Sequence, residues 1–276
     1  MSIALVTDST ADIPGELTQM HQIHVVPNLV IIDGQSLEDG RGISRKEFYE
    51  RLPTMKSTPT TATASIGAYQ TLYERLFSQG ASYIISIHAS SLLSGIFNAA
   101  SAAAQAFEER VKVIDSEHIS LGLGFQVLAA AEEIRQEQPL ETILTWIADI
   151  RRRIRVVAML DTLEYVRRSG RVSWARARIG DFLRVKPFLE VREGQVFSLG
   201  ESRTRRKGVE HLKKILQKLG ALERLAVLHT NAEKDANQFL DSLKVKLPQA
   251  PLFVNVTTVI GTHVGPNGLG FAAVIK

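Results

Sequence analysis

The feature that most constrains the fold is the alternation of short apolar segments with longer helical segments in the first 155 residues. Strands are predicted at residues 3–6, 24–32, 83–87 and 111–114. Helices are predicted from residue 13, at 44–52, from 65 to just before Gly80, and at 98–110, 121–136 and 140–153. Strands that alternate with helices form a mainly parallel sheet with helices on both faces, so an α/β domain is predicted.

The helix starts carry recognisable capping residues. Asp12 is predicted to cap the first helix with Pro14 in its first turn, and Ser44 with Glu47 forms a capping box. Ser65 is predicted to cap the next helix. The polar, threonine-rich stretch 53–64 between them is predicted to be a loop.

After residue 155 the pattern changes to strands that come in closer succession. Strands are predicted at 156–160, 188–192, 195–199, 225–229, 253–259 and 271–275, with Glu193-Gly194 as a hairpin turn. Helices are predicted at 162–168, 174–183, 208–219 and 233–247. This half is predicted to be an α+β sandwich with some antiparallel pairing, which gives two domains, residues 1–155 and 156–276.

Composition excludes several functions and leaves one surface open to two interpretations. The chain has no cysteine, which excludes disulfides, thiolate chemistry and cysteine-based zinc sites. Residues 151–186 contain eleven basic and three acidic residues, and a second basic cluster occupies 203–207. Such a face either attracts an acidic or phosphorylated partner or is a solvated surface. The start of the chain lacks the features of a signal peptide, and no apolar run reaches about 20 residues, so a cytoplasmic protein is expected.

Three segments have the residue types of an anion site. Residues 90–95 place Ser94 and Gly95 between a strand and an alanine-rich helix, where free amide N–H groups favour an anion. Residues 58–65 crowd hydroxyl groups, including that of Thr61, into one loop. Residues 261–270 hold His263 among four glycines between two strands. Helix caps, an ordinary polar loop and a tight turn are the respective structural alternatives.

Two further segments admit both functional and structural interpretations. The arginines of residues 163–172 could dock a partner or hold a phosphate, or they could simply complete a helix end. Asp8 follows the first strand, where open α/β sheets bind ligands, although a single acid predicts a structural turn rather than a metal. Nucleotide-binding glycine loops, the H-E-x-x-H zinc motif and the G-x-S-x-G elbow are all missing from the sequence.

Taken in order, these segments resemble the DegV family. The resemblance is carried by residues 6–14, 59–61, 90–95, 115–116, 122–124, 163–172, 186–187 and 261–266. Members of that family bury a fatty acid between two domains and hold its carboxylate with a loop threonine, a serine before glycine and a histidine. The resemblance thus implies ligand-binding roles for Thr61, Ser94 and His263, with Gly95 and Thr262 beside them.

The resemblance also implies a role for the whole protein. It would be a non-catalytic carrier of a long-chain fatty acid such as palmitate, stearate or oleate, without cofactor, metal or nucleic acid, acting in phospholipid metabolism. Arg168 and Arg171 would engage a fatty acid kinase that phosphorylates the bound carboxylate to an acyl phosphate, and transient membrane contact would be compatible with this role.

Two alternatives remain open from the residues themselves. The first is an acyl hydrolase with Ser94 as nucleophile and His263 as base. The second is a regulatory or nucleic-acid-binding protein that uses the basic face, whose binding would depend steeply on salt.

Overall fold

The computed structural model describes residues 2–172, 174–175, 185–243 and 247–276, and the chain divides into two compact units. The first comprises Met1–Leu29, Ala62–Arg153 and Glu193–Gln195, and the second comprises Val30–Thr61, Ile154–Arg192 and Val196–Lys276. The predicted domains are continuous stretches, whereas these units interleave along the chain.

The strands and helices follow the chain in this order. The strands are β1 Ile3–Asp8, β2 Ile23–Val26, β3 Leu29–Ile32, β4 Gln35–Glu38, β5 Thr60–Ala62, β6 Tyr83–His88, β7 Val111–Asp115, β8 Ile154–Met159, β9 Lys186–Arg192, β10 Gln195–Ser202, β11 Leu222–His229, β12 Leu252–Asn255 and β13 Leu269–Ile275. The helices are α1 Gly15–Met20, α2 Arg45–Arg51, α3 Ile66–Ser78, α4 Ile96–Ala104, α5 Leu121–Arg135, α6 Leu140–Arg153, α7 Glu164–Ser169, α8 Arg205–Lys218, α9 Glu233–Ser242 and α10 Thr258–Val264. Short 3-10 turns occupy Ser9–Ala11, Leu52–Thr54 and Gln105–Arg110.

The first unit is built on a parallel four-stranded sheet, which confirms the predicted α/β architecture. Its strand order is β2-β1-β6-β7, and every neighbouring pair runs parallel. The central strands read as nearly continuous apolar runs because helices cover both faces of such a sheet. Val6, Ile84 and Ile85 are accordingly fully buried.

The predicted caps of α2 and α3 are confirmed, while that of α1 is wrong. Ser44 Oγ accepts a hydrogen bond from the Glu47 amide at 3.2 Å, and Ser65 Oγ accepts one from the Ala68 amide at 3.1 Å. Asp12 instead adopts a left-handed backbone conformation with φ of 58°, and its carboxylate accepts a bond from Ser120 Oγ at 2.7 Å. The residue that precedes α1 is Pro14.

The second unit contains a six-stranded sheet in the order β10-β9-β8-β13-β11-β12. Antiparallel pairs join β9 to β8, β8 to β13 and β13 to β11, whereas β11 and β12 run parallel. The predicted hairpin is confirmed, because Glu193 and Gly194 have φ of 51° and 75° and connect β9 to β10. Phe188, Phe239 and Phe271 are buried in the core of this unit.

Several predicted elements differ from those observed. The strand predicted at 253–259 ends at Asn255, and Thr258 begins the helix α10. The predicted loop 53–64 contains β5, which pairs with β3 in a three-stranded sheet of order β4-β3-β5. The helix predicted at 233–247 ends at Ser242.

Some sequence-based predictions fall on parts of the chain that the structure does not describe. Most of the helix predicted at 174–183 lies outside the described residues, as do Arg176, Arg178 and Arg184 of the basic stretch. Within the described ranges, no helix combines the length and apolar character that crossing a bilayer requires.

Candidate functional site

Thr61 and His263, 202 residues apart in the sequence, meet in the second unit. Thr61 lies on β5 and His263 in the last turn of α10, and Thr61 Oγ1 is 3.0 Å from His263 Nε2. Both side chains are partly buried. The structure therefore brings together two of the three residues that the resemblance implies as carboxylate ligands.

The helix α10 that carries His263 is held firmly at its first turn. Asp39 Oδ1 accepts hydrogen bonds from the backbone amide of Thr258 at 3.2 Å and from its hydroxyl at 2.8 Å. Thr257 caps the helix through the Ile260 amide at 3.3 Å. The Tyr49 hydroxyl donates to the Val256 carbonyl at 2.9 Å. These bonds fix where the helix begins and hence where His263 lies.

Glycine at position 261 allows this helix to approach Tyr49. A Cβ atom at Gly261 would lie 2.3 Å from the Tyr49 hydroxyl oxygen, closer than any real contact. The close approach at this position is to a tyrosine of the same unit, and the predicted approach of this glycine-rich segment to a ligand stays a prediction. The prediction that 261–263 belong to a loop is wrong, because the Thr257 cap starts a helix there.

The environment of His263 keeps its ring neutral at neutral pH. Burial lowers the pKa of His263 to about 4, and the positive charge of Arg171 contributes to the decrease. The Nδ1 atom is buried and has no hydrogen-bond partner among the described residues. A buried polar atom of this kind calls for an explanation, and a ligand atom is one.

Ser94 and Gly95 lie in the first unit, at the start of α4. Ser94 Oγ accepts a hydrogen bond from the Ile96 amide at 3.3 Å, whereas the N-cap residue of α4 is Gly95, which has no side chain with which to cap it. Because a hydroxyl that accepts one bond still carries its own proton, Ser94 can donate to a further acceptor. Gly95 is exposed, and a Cβ atom there would meet Thr63 Cγ2 at an ordinary 3.7 Å.

The other predicted site residues have local partners. The Thr262 hydroxyl donates to the Thr258 carbonyl at 2.9 Å, one turn earlier in α10, so its proton is engaged within the helix. Arg168 is half-exposed and forms an ion pair with Glu164 within α7. Arg171 is exposed, and its guanidinium donates to the Ser169 carbonyl at 2.6 Å. The binding and docking roles of these residues stay predictions.

A buried polar cluster in the first unit was not predicted. His88 Nδ1 lies 3.0 Å from Asp8 Oδ2, and His88 Nε2 lies 2.7 Å from Ser86 Oγ, which is 2.9 Å from the Tyr73 hydroxyl. Every bond is satisfied if Tyr73 donates to Ser86, Ser86 to Nε2, and Nδ1–H to Asp8. The order Ser-His-Asp is that of a hydrolase triad, but Ser86, His88 and Asp8 are fully buried.

Asp8 is the acceptor at the centre of this cluster. Burial alone would raise the pKa of Asp8, but its electrostatic interaction and hydrogen bond with His88, together with the hydrogen bonds from Thr10, lower it below its ordinary value of 3.8. The carboxylate also accepts from the Asn28 amide group at 3.2 Å and the Ala89 backbone amide at 3.2 Å. This agrees with the interpretation of Asp8 as a structural anchor at the end of β1.

The geometry gives no support to the hydrolase alternative at the predicted pair. Among the described residues, His263 pairs with the Thr61 hydroxyl, whereas a catalytic base is usually oriented by an acid. Among the residues that the structure describes, no group of three or more His, Asp or Glu side chains is arranged to hold a metal ion.

The comparison with known proteins covers the whole chain. The model of the DegV family, described as uncharacterised proteins, matches residues 2–276. Protein DegV of Bacillus subtilis (strain 168) is 36% identical over 285 residues, with 100% of both chains covered.

Two solved structures extend the comparison. A DegV family protein from Thermus thermophilus, described for its fatty acid binding, has a TM-score of 0.92 at 31% identity, with 100% of both chains covered. DegV from Bacillus subtilis, described as a fatty acid binding protein, has a TM-score of 0.87 at 34% identity, also over 100% of both chains. The present chain therefore belongs to the DegV family.

Proposed function

We propose that this protein binds one long-chain fatty acid and holds its carboxylate with Thr61, Ser94 and His263. The observation that carries the proposal is the Thr61–His263 pair, in which a neutral histidine keeps a buried ring nitrogen without a protein partner. The likeness to two DegV proteins described as binding fatty acids, at 31% and 34% identity, supports the nature of the ligand.

The pair can donate a hydrogen bond to a carboxylate in either tautomer of His263. If Nε2 accepts the Thr61 hydroxyl proton, Nδ1 carries the ring proton and can donate it to the ligand. If Nε2 donates instead, the Thr61 hydroxyl proton is the one left for the ligand. A buried carboxylate needs such donors, because an unpaired buried charge is too costly. The Ser94 hydroxyl is the proposed additional donor, with Gly95 and Thr262 beside the head group.

The acyl tail supplies most of the proposed affinity. A chain of about fourteen methylenes contributes about 11 kcal/mol at roughly 0.8 kcal/mol for each methylene. Losses of translational freedom and chain ordering offset several kcal/mol of this gain. We therefore expect dissociation constants on the order of micromolar to nanomolar.

We further propose that the protein is a carrier that presents the carboxylate to a fatty acid kinase in the cytoplasm. Arg168 and Arg171, at the end of α7 and just beyond it, are half-exposed and exposed and are the proposed docking residues. Replacing both by Ala should reduce acyl phosphate formation by a purified fatty acid kinase with ATP while oleate binding stays unchanged. Equal rates for the variant and the parent protein would exclude this docking role.

Lipid binding is tested on the purified protein. Mass spectrometry under native conditions should detect a co-purified fatty acid, and calorimetric titration of the delipidated protein with oleate should give a saturable 1:1 isotherm. His263→Ala and Ser94→Ala should bind oleate more weakly, and His211→Ala, a change at an exposed histidine, should bind it normally. Absence of both co-purified lipid and oleate binding would refute the function, and normal binding by both site variants would refute the assigned residues.

A further inference from the structure

The buried Asn28 side chain joins two segments that lead to proposed ligand residues. Asn28 lies between β2 and β3 and is 1% exposed. Its Oδ1 accepts a hydrogen bond from the Ala64 amide at 3.4 Å, three residues after Thr61. Its Nδ2 donates to Asp8 Oδ1 at 3.2 Å. All of these atoms belong to the first unit.

Asp8 continues the connection to the segment that precedes Ser94. Its second oxygen, Oδ2, accepts from the Ala89 backbone amide at 3.2 Å, immediately after β6. From there the chain turns through Ser90, whose carbonyl accepts the Ser94 amide at 3.0 Å. One amide side chain and one carboxylate thus tie Ala64 to Ala89, which are 25 residues apart in the sequence.

The Asn28 position is further fixed by Ser9. Ser9 Oγ accepts the Asn28 backbone amide at 3.1 Å and lies 3.5 Å from Nδ2. With backbone and side chain both held, Asn28 has little freedom to change rotamer. Such a rigid connection suits a residue that sets the geometry of neighbouring segments, because a binding site must be supported by groups outside it.

We infer that Asn28 is a positioning residue for fatty acid binding, which holds the segment after Thr61 and the segment before Ser94 in their binding geometry. The inference rests on the proposed function. It does not require Asn28 to touch the ligand. Its loss should let both segments fluctuate, so that part of the binding energy is spent on ordering them.

The test compares Asn28→Ala with Tyr73→Phe. Tyr73 belongs to the same hydrogen-bonded cluster through Ser86, but it bonds to neither segment. Each change removes buried hydrogen bonds, so both variants should lose thermal stability. Only Asn28→Ala should weaken oleate binding, by about fivefold, and only Asn28→Ala should accelerate amide hydrogen exchange at Ala64 and Ala89.

A second variant keeps the test decisive if Asn28→Ala does not fold. Asn28→Leu keeps the approximate size of the side chain and introduces no charge, but it removes both the acceptor for Ala64 and the donor to Asp8. It should show weakened oleate binding and faster exchange at Ala64 and Ala89. Wild-type affinity and exchange in the Asn28 variant that folds, or equal loss of affinity in Tyr73→Phe, would overturn the inference. Failure of the wild-type protein itself to bind oleate would instead refute the proposed function, and with it the basis of this inference.

Discussion

Two histidines, one in each unit, differ in how their ring nitrogens are satisfied. His88 is fully buried, and its nitrogens contact Asp8 at 3.0 Å and Ser86 at 2.7 Å. His263 has Thr61 at 3.0 Å from one nitrogen, and the other is buried with no hydrogen-bond partner among the described residues.

The difference separates a structural histidine from a candidate ligand-binding one. A buried polar group with all its bonds made contributes to the fold, and it has nothing left with which to bind a substrate. A buried group with an unmet bond is a local cost, which a bound carboxylate can remove. Residue type alone does not make this distinction, because both residues are histidines.

The largest expected effect is on stability in the first unit. His88→Leu removes a partner from the buried Asp8 carboxylate, so the free energy of unfolding should fall by about 3–5 kcal/mol. His263→Leu removes the hydrogen bond with Thr61 and should cost about 1 kcal/mol. Urea unfolding followed by circular dichroism measures both values. Equal losses would contradict the assignment of different roles to the two histidines.

The next largest effect is on stability through the helix α10, which carries His263. Gly261→Ala places a methyl group against Tyr49, where a Cβ atom would lie 2.3 Å from the hydroxyl oxygen, and overpacking of this kind costs about 1–3 kcal/mol. Gly67→Ala is the matched control, because a Cβ atom there would lie 3.9 Å from Ser65 Oγ, an ordinary van der Waals distance. Thermal denaturation should show a lower Tm only for Gly261→Ala. An unchanged Tm would mean that Tyr49 moves to accommodate the added methyl group without loss of stability.

A smaller effect is expected on affinity when Thr61 is changed. Thr61→Val keeps the shape of the side chain but removes the hydroxyl next to His263 Nε2, so oleate should bind about tenfold more weakly. Thr54→Val, whose exposed hydroxyl donates to the Arg51 carbonyl at 3.0 Å, serves as the control and should bind normally. Calorimetric titration measures the oleate affinity of both variants. Wild-type affinity in Thr61→Val would show that Thr61 is not part of the binding site.

The smallest effects are those of pH. The pKa of His263 is about 4 in the folded protein, below its ordinary value of 6.5. Between pH 6.5 and 4 the His263 ring is therefore protonated in the unfolded chain but not in the folded one. The free energy of unfolding consequently falls as the pH drops through this range. His263→Gln should lack this component. Asp8, whose folded pKa is below 3.8, loses its contribution only at still lower pH.

Titration of the histidine ring signals by NMR examines the same group directly. The His263 midpoint should be near 4 in the free protein. Oleate should raise it, because a neighbouring carboxylate favours the protonated ring. A midpoint that oleate leaves unchanged would show that the carboxylate binds elsewhere.

Local sequence signals predicted much of the fold. Ser44 and Ser65 each cap a helix through the backbone amide three residues later, and the positive φ angles of Glu193 and Gly194 form the hairpin turn. Because these interactions are local, the helix starts and the hairpin could be predicted from short stretches of sequence. The parallel sheet followed from the alternation of elements. Thr61 and His263 were paired through family resemblance, not through any pattern within the chain.

Contacts between residues far apart in the sequence could not be predicted from short stretches of sequence. Asp8 and His88 are 80 residues apart, and Asn28 meets Ala64 across 36, so nothing local distinguishes them from ordinary turn residues. The helix α10 was predicted as a strand and a loop because its β-branched and glycine residues favour those states. Its actual conformation depends on Asp39, more than 200 residues away, and on the fit between Gly261 and Tyr49.

The interleaving of the two units has a practical consequence for fragment expression. A fragment that stops at residue 155 would retain residues 30–61 but lack Val256, whose carbonyl Tyr49 contacts, and Tyr165, which packs against the cluster around Phe48. Large aromatic side chains that are buried in the intact chain would then face solvent and promote aggregation. Soluble halves would instead require residues 30–61 to be excised from one fragment and spliced into the other.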